Sequence, residues 1–166
     1  MRVGILGGTF DPIHIGHLII AEESRIRLGL DRVLFTPTGQ PQLKSEPPIA
    51  SALHRLNMVH LAVAGNRHFA VSRNELDRPG PSYTVDTLGE LSTELGATTE
   101  LHFIVGMDAL QQFHLWRDPE RVLELCKLVV VRRPGGKDFK VQELLSRYSQ
   151  AGSRVVVLPT PLATPA

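Results

Sequence analysis

Short apolar runs alternate with segments of helical period along the whole chain, and this alternation constrains the fold more than any other feature. The runs are Val3 to Leu6, Val33 to Thr36, Phe69 to Ser72, Leu101 to Val105, Leu128 to Val131 and Val155 to Leu158, all rich in Val, Ile, Leu and Phe. Each reads as a buried strand. Between them, Leu53, Leu56, Val59 and Val63 recur three and four residues apart, behind Ser51 and ahead of Gly65. Val85, Leu88, Leu91 and Leu95 repeat the pattern behind Ser82 and ahead of Gly96, and Gly29 closes a further segment that begins near Gly16. Serine before such a stripe is a helix cap, and glycine after it a helix stop. Strands alternating with helices of this length predict right-handed crossovers and a mostly parallel sheet with helices on both faces. The expected fold class is therefore α/β, of Rossmann-like architecture, and 166 residues suffice for one domain spanning 1–166. Two irregular stretches follow strands closely: Pro37 to Pro48, with four prolines, and Arg78 to Pro81. Open parallel sheets bind ligands beyond the carboxyl ends of their strands, so both stretches are expected to contact substrate.

Composition removes several function classes. Hydrophobic residues make up 42% and charged residues 21%, as in ordinary globular proteins. Lys plus Arg number 18 against 17 Asp plus Glu, which leaves no broad positive field for nucleic acid. Any anion site must be local. Cys126 is the single cysteine, so there is no internal disulfide and no cysteine-based zinc site, and a reducing compartment is expected. The opening MRVGILGG is too short for a signal peptide or a membrane span. A cytoplasmic protein without a membrane partner is the expectation.

Candidate chemistry concentrates behind the first run. Gly7 and Gly8 let the backbone turn sharply and let a phosphate approach its amides. Pro12 suits a turn or a first helical position, and Gly16 suits a close approach to ligand. A helix starting between Asp11 and Gly16 would carry His14 and His17, three apart, on one face at its positive end. Two donors would then meet one phosphate chain. A histidine pair is also half of a zinc site, but no HExxH pattern and no cysteine completes one, so no metal ligands are assigned.

The segment GGTFDPIHIGH resembles the signature of the HxGH nucleotidyltransferases, with His14, Ile15, Gly16 and His17 as the motif itself. SYTVDTL (Ser82 to Leu88), FIVGMDAL (Phe103 to Leu110), Trp116 and VVVRRPG (Val129 to Gly135) extend the likeness to the bacterial nicotinate mononucleotide adenylyltransferases, from Met1 to about Pro159. The resemblance implies adenylyl transfer from ATP to nicotinate mononucleotide, with Mg²⁺ carried in on the triphosphate. It implies that Gly7, Gly8, Thr9 and Phe10 line the ATP site, with His14, His17 and Lys44 acting on the phosphates. Gly106 and Asp108 correspond to the adenosine contacts, although Asp108 following a strand also reads as a helix cap. Thr84 and Trp116 correspond to the nicotinate pocket, where an indole stacks on a flat ring; a single Trp also reads as core. Arg133 corresponds to the mononucleotide phosphate contact, and beside Arg132 it also reads as a solvated charge.

The mechanism implied is a direct in-line displacement without a covalent intermediate, since the attacking phosphate is already ionised and needs alignment rather than a base. Two departures from the family pattern stand out. The stretch before Lys44 reads PQLK, where the family tends to have a histidine beside the lysine. After Pro159 the sequence reads TPLATPA, where the family carries an ISSTxIR phosphate-binding stretch, so a domain shortened at its C-terminal end is expected. Two alternatives stand beside the main reading: a relative such as a pantetheine phosphate adenylyltransferase, and a nucleotide-binding domain without turnover. The sequence leaves the oligomeric state open, a homo-oligomer included.

Overall fold

The structure, a computed structural model, describes residues 1–39, 50–132 and 141–159. Six strands form one sheet: β1 (Arg2–Gly8), β2 (Arg32–Pro37), β3 (Phe69–Val71), β4 (Glu100–Gly106), β5 (Lys127–Val131) and β6 (Val155–Leu158). Their order is β3-β2-β1-β4-β5-β6, and every neighbouring pair is parallel. All six apolar runs are strands. The central four are deeply buried, whereas β3 and β6 at the two edges are only partly so. The expectation of full burial fails there because an edge strand has one side without a ladder partner.

Helices connect the strands: α1 (Ile15–Leu28), α2 (Ala52–Val63), α3 (Asn74–Asp77), α4 (Thr84–Leu95), α5 (Met107–Gln111), α6 (Pro119–Leu125), α7 (Val141–Leu145) and α8 (Ala151–Arg154). Alternating strand residues divide between two cores, as the period of two in a strand requires. Val3, Ile5, Phe103, Val105 and Leu128 pack with Leu88 and Leu91 of α4 and with Val122 and Leu123 of α6. On the other face, Leu6, Phe35, Ile104 and Val129 pack with Ala21 of α1 and with Val59 and Val63 of α2.

The helix ends follow local chemistry. Ser51 caps α2, its side chain accepting from the His54 N–H at 3.2 Å. Gly29 ends α1 in the left-handed region at φ 61°, and the following Leu30 N–H donates to the Arg25 carbonyl at 2.9 Å. Ser82 does not cap α4. The cap position falls one residue later, on Tyr83, and the Ser82 hydroxyl is buried with no hydrogen-bond partner among the described residues. The stripe on α2 is also displaced: Leu53 is 62% exposed while Arg55 is buried beside Leu56, Val59 and Val63.

Candidate active site

The sheet reverses its winding between β1 and β4, and their carboxyl ends, Gly8 and Gly106, open on a cavity of about 750 Å³. Such a switch point is where open α/β sheets bind ligands. The β1–α1 loop forms one wall. A Cβ on Gly7 would lie 3.4 Å from the Phe103 ring, and one on Gly8 would lie 3.2 Å from the Phe10 ring. Phe10 itself has φ 51°, a costly conformation for a large side chain. Its ring is buried, edge-on to His17 at 5.0 Å and tilted against Phe35 at 6.0 Å. That packing holds the bend in place.

His14 and His17 do more than share a face. His14 is the N-cap of α1: its Nδ1 accepts the Gly16 N–H at 3.1 Å. The Nδ1 of His17 in turn accepts the His14 N–H at 3.1 Å, so the two rings close a reciprocal capping box usually made by Ser or Thr with Glu. With both Nδ1 atoms accepting, a neutral imidazole must carry its proton on Nε2. The helix backbone thus sets the tautomer of both rings. The rings lie 3.9 Å apart and tilted by 34°, and both histidines line the cavity. A Cβ on Gly16 would meet His14 Cε1 at 2.9 Å. The room at Gly16 is therefore used by the His14 ring itself, which refines the expectation of a close approach to ligand.

The opposite wall carries Glu75, Ser82, Tyr83, Thr84, Trp116 and Arg117. Arg78 links to the α4 face through an ion pair with Glu90 at 2.9 Å and a bond to the Thr87 hydroxyl at 2.9 Å. Thr87 donates to Glu75 Oε1 at 2.8 Å. This chain of contacts fastens the stretch between α3 and α4 and so places Ser82 to Thr84 at the cavity. Burial pushes the Glu75 carboxyl above its ordinary range; hydrogen bonds from Thr87 and Thr38 and the charge of Arg78 oppose the shift, and Glu90 adds to it. Trp116 stands half-buried with its edge to Phe113 at 5.0 Å and to Phe103 at 6.1 Å, one part in the core and another on the cavity. The guanidinium of Arg117 lies 4.8 Å over the Tyr83 ring, a cation–π contact between two cavity residues.

Gly7, Gly8, Thr9, Phe10, His14, His17, Thr84, Gly106 and Trp116 thus line one space. Asp108 is not among the lining residues: it is exposed in the first turn of α5, whose cap is Gly106, so the reading of Asp108 as a helix cap is corrected. Lys44 and Arg133 lie outside the described residues. Arg55, Glu75, Tyr83 and Arg117 escaped the sequence reading. Tyr83 sits inside SYTVDTL and Arg117 beside Trp116, so adjacency to those motifs was the available signal. Arg55 gave none, because a charged residue in an amphipathic helix ordinarily faces water. Among the described residues no group of three or more His, Cys, Asp and Glu side chains is placed to hold a metal ion. Burial pushes the Cys126 thiol up to about 12, which removes it as a nucleophile.

An all-parallel sheet in this order, with a glycine turn and paired histidines at a helix start beside its switch point, defines an α/β nucleotidyltransferase. The sequence matches the cytidylyltransferase-like family over residues 5–161. It is 46% identical to a probable nicotinate-nucleotide adenylyltransferase of Dehalococcoides mccartyi, over 97% of this chain and 79% of the relative. It is 48% identical to one of Thermomicrobium roseum, over 97% of this chain and 74% of the relative. The chain belongs to the cytidylyltransferase-like family and, within it, to the nicotinate-nucleotide adenylyltransferases. The fold is shared with Plasmodium falciparum nicotinic acid mononucleotide adenylyltransferase complexed with NaAD, at a TM-score of 0.75 and 16% identity, covering 98% of this chain and 77% of that one.

Proposed function

We propose that the chain transfers the adenylyl group of ATP to nicotinate mononucleotide, giving nicotinate adenine dinucleotide and pyrophosphate in NAD synthesis. The observation that carries this reading is the histidine pair whose Nδ1 atoms accept the backbone N–H groups that open α1, so that both rings stand on the cavity at the positive end of that helix. A phosphate oxygen of the mononucleotide attacks the α phosphorus of ATP. The bond from that phosphorus to the bridging oxygen breaks, and its electron pair leaves with pyrophosphate. The nucleophile is already ionised, so the protein's task is to align two anions and neutralise the growing charge on the leaving group. His14 and His17 donate to the phosphates, with Lys44 assisting. The N-terminal end of α1, a helix of 14 residues, adds a partial positive charge. Mg²⁺ enters with the triphosphate as part of the substrate and supplies further neutralisation.

Gly7 to Phe10 line the ATP side in this reading, with Gly106 and Asp108 toward the adenosine. Gly106 has open space where a Cβ would stand, which suits a ligand lying on the backbone. Trp116 and Thr84 receive the pyridine ring and its carboxylate, and Arg133 the mononucleotide phosphate. No described helix is long and apolar enough to cross a membrane, and we place the reaction in the cytoplasm.

The test supplies MgATP with nicotinate mononucleotide, with its amide, or with phosphopantetheine, and measures pyrophosphate together with the coupled product. Equimolar pyrophosphate and dinucleotide, with the acid as the best substrate, is the expected outcome. Absence of dinucleotide from both pyridine mononucleotides, with product from phosphopantetheine or none at all, overturns the reading.

A further inference from the structure

Among the described residues the largest fully buried side chain is charged: Arg55 on α2 is 1% exposed. Its Nη1 donates to the Thr9 carbonyl at 2.8 Å and to the Thr38 carbonyl at 2.7 Å, and its Nε donates to the Ala50 carbonyl at 3.3 Å. Burial lowers its pKa from the ordinary arginine value, and the nearby Asp11 carboxylate offsets part of that cost. Asp11 is tied into the same group, since its Oδ1 accepts the Ala50 N–H at 3.1 Å. A third strand of the arrangement runs through Thr38, whose N–H donates to the Gly8 carbonyl at 2.9 Å. The guanidinium therefore joins the end of β2, the start of α2 and the glycine turn behind β1.

An apolar side chain fills a core at less cost than a buried cation, so the charge calls for a reason beyond packing. We infer that Arg55 is a positioning residue for the triphosphate half of the cavity, acting through the backbone of the β1–α1 loop without touching substrate. The inference rests on the adenylyl-transfer reading only for the identity of the anion. Thr9 and Phe10 share a trans peptide, in which the N–H lies opposite the C=O. Anchoring the Thr9 carbonyl on Arg55 aims the Phe10 N–H away from the guanidinium, and it fixes the peptide that leads into the strained φ of Phe10. Phe10 in turn packs on His17. One side chain thus sets both the amide and an imidazole of the anion wall. Only a planar fork reaches three carbonyls at once; an ammonium keeps the charge and loses that geometry.

Arg55→Lys and Arg55→Gln, with melting temperatures recorded beside kinetics, test this. Both substrates' KM and kcat are measured, and binding of MgATP and of a non-hydrolysable ATP analogue is followed by calorimetry. In Arg55→Lys we expect kcat/KM for MgATP to fall about 10²-fold, the scale on which a misplaced site loses rate. The KM for nicotinate mononucleotide is expected to stay within about threefold, because the hydrogen bonds of Arg55 go to Thr9, Thr38 and Ala50 and not to Trp116 or Thr84. The analogue's Kd should rise with the MgATP KM. Equal changes in both KM values, or a fall in kcat alone that follows the folded fraction, would show a merely structural residue and overturn the inference. Since calorimetry reads ATP binding without turnover, failure of the nicotinate reading leaves this test standing. Should the variants not fold, hydrogen exchange on the unaltered chain decides. Slow exchange before ligand is added is expected at the amides that tie the loop, the Thr38 N–H on the Gly8 carbonyl and the Ala50 N–H on Asp11, and exchange there at the free-peptide rate refutes a pre-set loop.

Discussion

His14 combines two jobs on one ring, and they separate by substitution. Its Nδ1 caps α1, while its Nε2–H is the donor offered to the cavity. Asparagine is among the best N-caps and has no donor in the imidazole's Nε2 position. His14→Asn is therefore expected to keep the melting temperature and lose about 10² in kcat, the usual cost of one preorganised donor. His14→Ala should lose the same rate and, in addition, about 0.5–2 kcal/mol of stability by urea unfolding. Equal stability of the Asn and Ala variants would show that the ring is not a cap. A second histidine works chiefly through burial. His102 on β4 is 2% exposed with Nδ1 unpartnered, and burial lowers its pKa from the ordinary 6.5. The charges of Arg2 and Lys127 add to that shift, and the Glu100 backbone and carboxylate oppose it. The unfolded chain takes up this proton near pH 6.5 while the folded chain does not, so stability is full above that value and falls as pH drops below it. The slope reaches at most about 1.4 kcal/mol per pH unit. Glu75 acts with the opposite sign: its raised pKa gives stability that is present at low pH and lost as pH rises through the folded value. Comparing His102→Gln with the unaltered chain isolates the histidine. Melting curves between pH 8 and 5 should diverge below pH 6.5, and superimposable profiles would remove His102 as the cause.

The elements owe their placement to small residues at crowded points. A Cβ on Gly4 would meet Leu30 Cδ1 at 2.8 Å, with Ile104 Cδ1 and Val33 Cγ2 both at 3.3 Å. Glycine in β1 lets the end of α1 settle on the sheet, so Gly4→Ala is expected to cost about 1–3 kcal/mol by overpacking. Gly29→Ala is expected to cost about 1 kcal/mol for a different reason, the left-handed φ of 61° at the α1 cap. Urea midpoints with an unchanged slope check both, and a Gly29→Ala midpoint equal to that of the unaltered chain would show that the cap tolerates a side chain. Elements were legible in the sequence wherever hydrophobic period and punctuation agreed, as at Ser51 and Gly29. They were misread where tertiary contacts overrode the local pattern. Leu53 fits the α2 stripe by spacing, yet the buried place goes to Arg55, whose partners Thr9 and Thr38 are distant in sequence. Ser82 looks like a cap, but the contacts of Arg78, Thr87 and Glu75 set the start of α4 one residue later.

At the scale of the whole molecule, the strand order β3-β2-β1-β4-β5-β6 gathers motifs that lie far apart in the chain around one opening. Alternation of strands and helices announced the parallel sheet, but not that β4 would sit beside β1; that pairing follows from which apolar faces meet. Hence HIGH and Trp116 were readable as motifs, while the Arg117–Tyr83 contact on the cavity wall was not. This layout separates two roles for divalent metal. If Mg²⁺ belongs to the triphosphate and not to the fold, a chelator should leave the melting temperature of the ligand-free chain unchanged and stop turnover with ATP. The dinucleotide product carries only two phosphates and, on the proposed reading, would span both halves of the cavity, so its binding should survive chelation. At about one hundred times its Kd it would add about 2.7 kcal/mol to stability, which for a domain of this size raises the melting temperature by about 5–11 °C. Thermal melts with and without chelator, each with and without nicotinate adenine dinucleotide, read both effects together. A drop in the ligand-free melting temperature on chelation would reveal a metal resident in the fold, and loss of the dinucleotide shift would make the metal part of the product site as well.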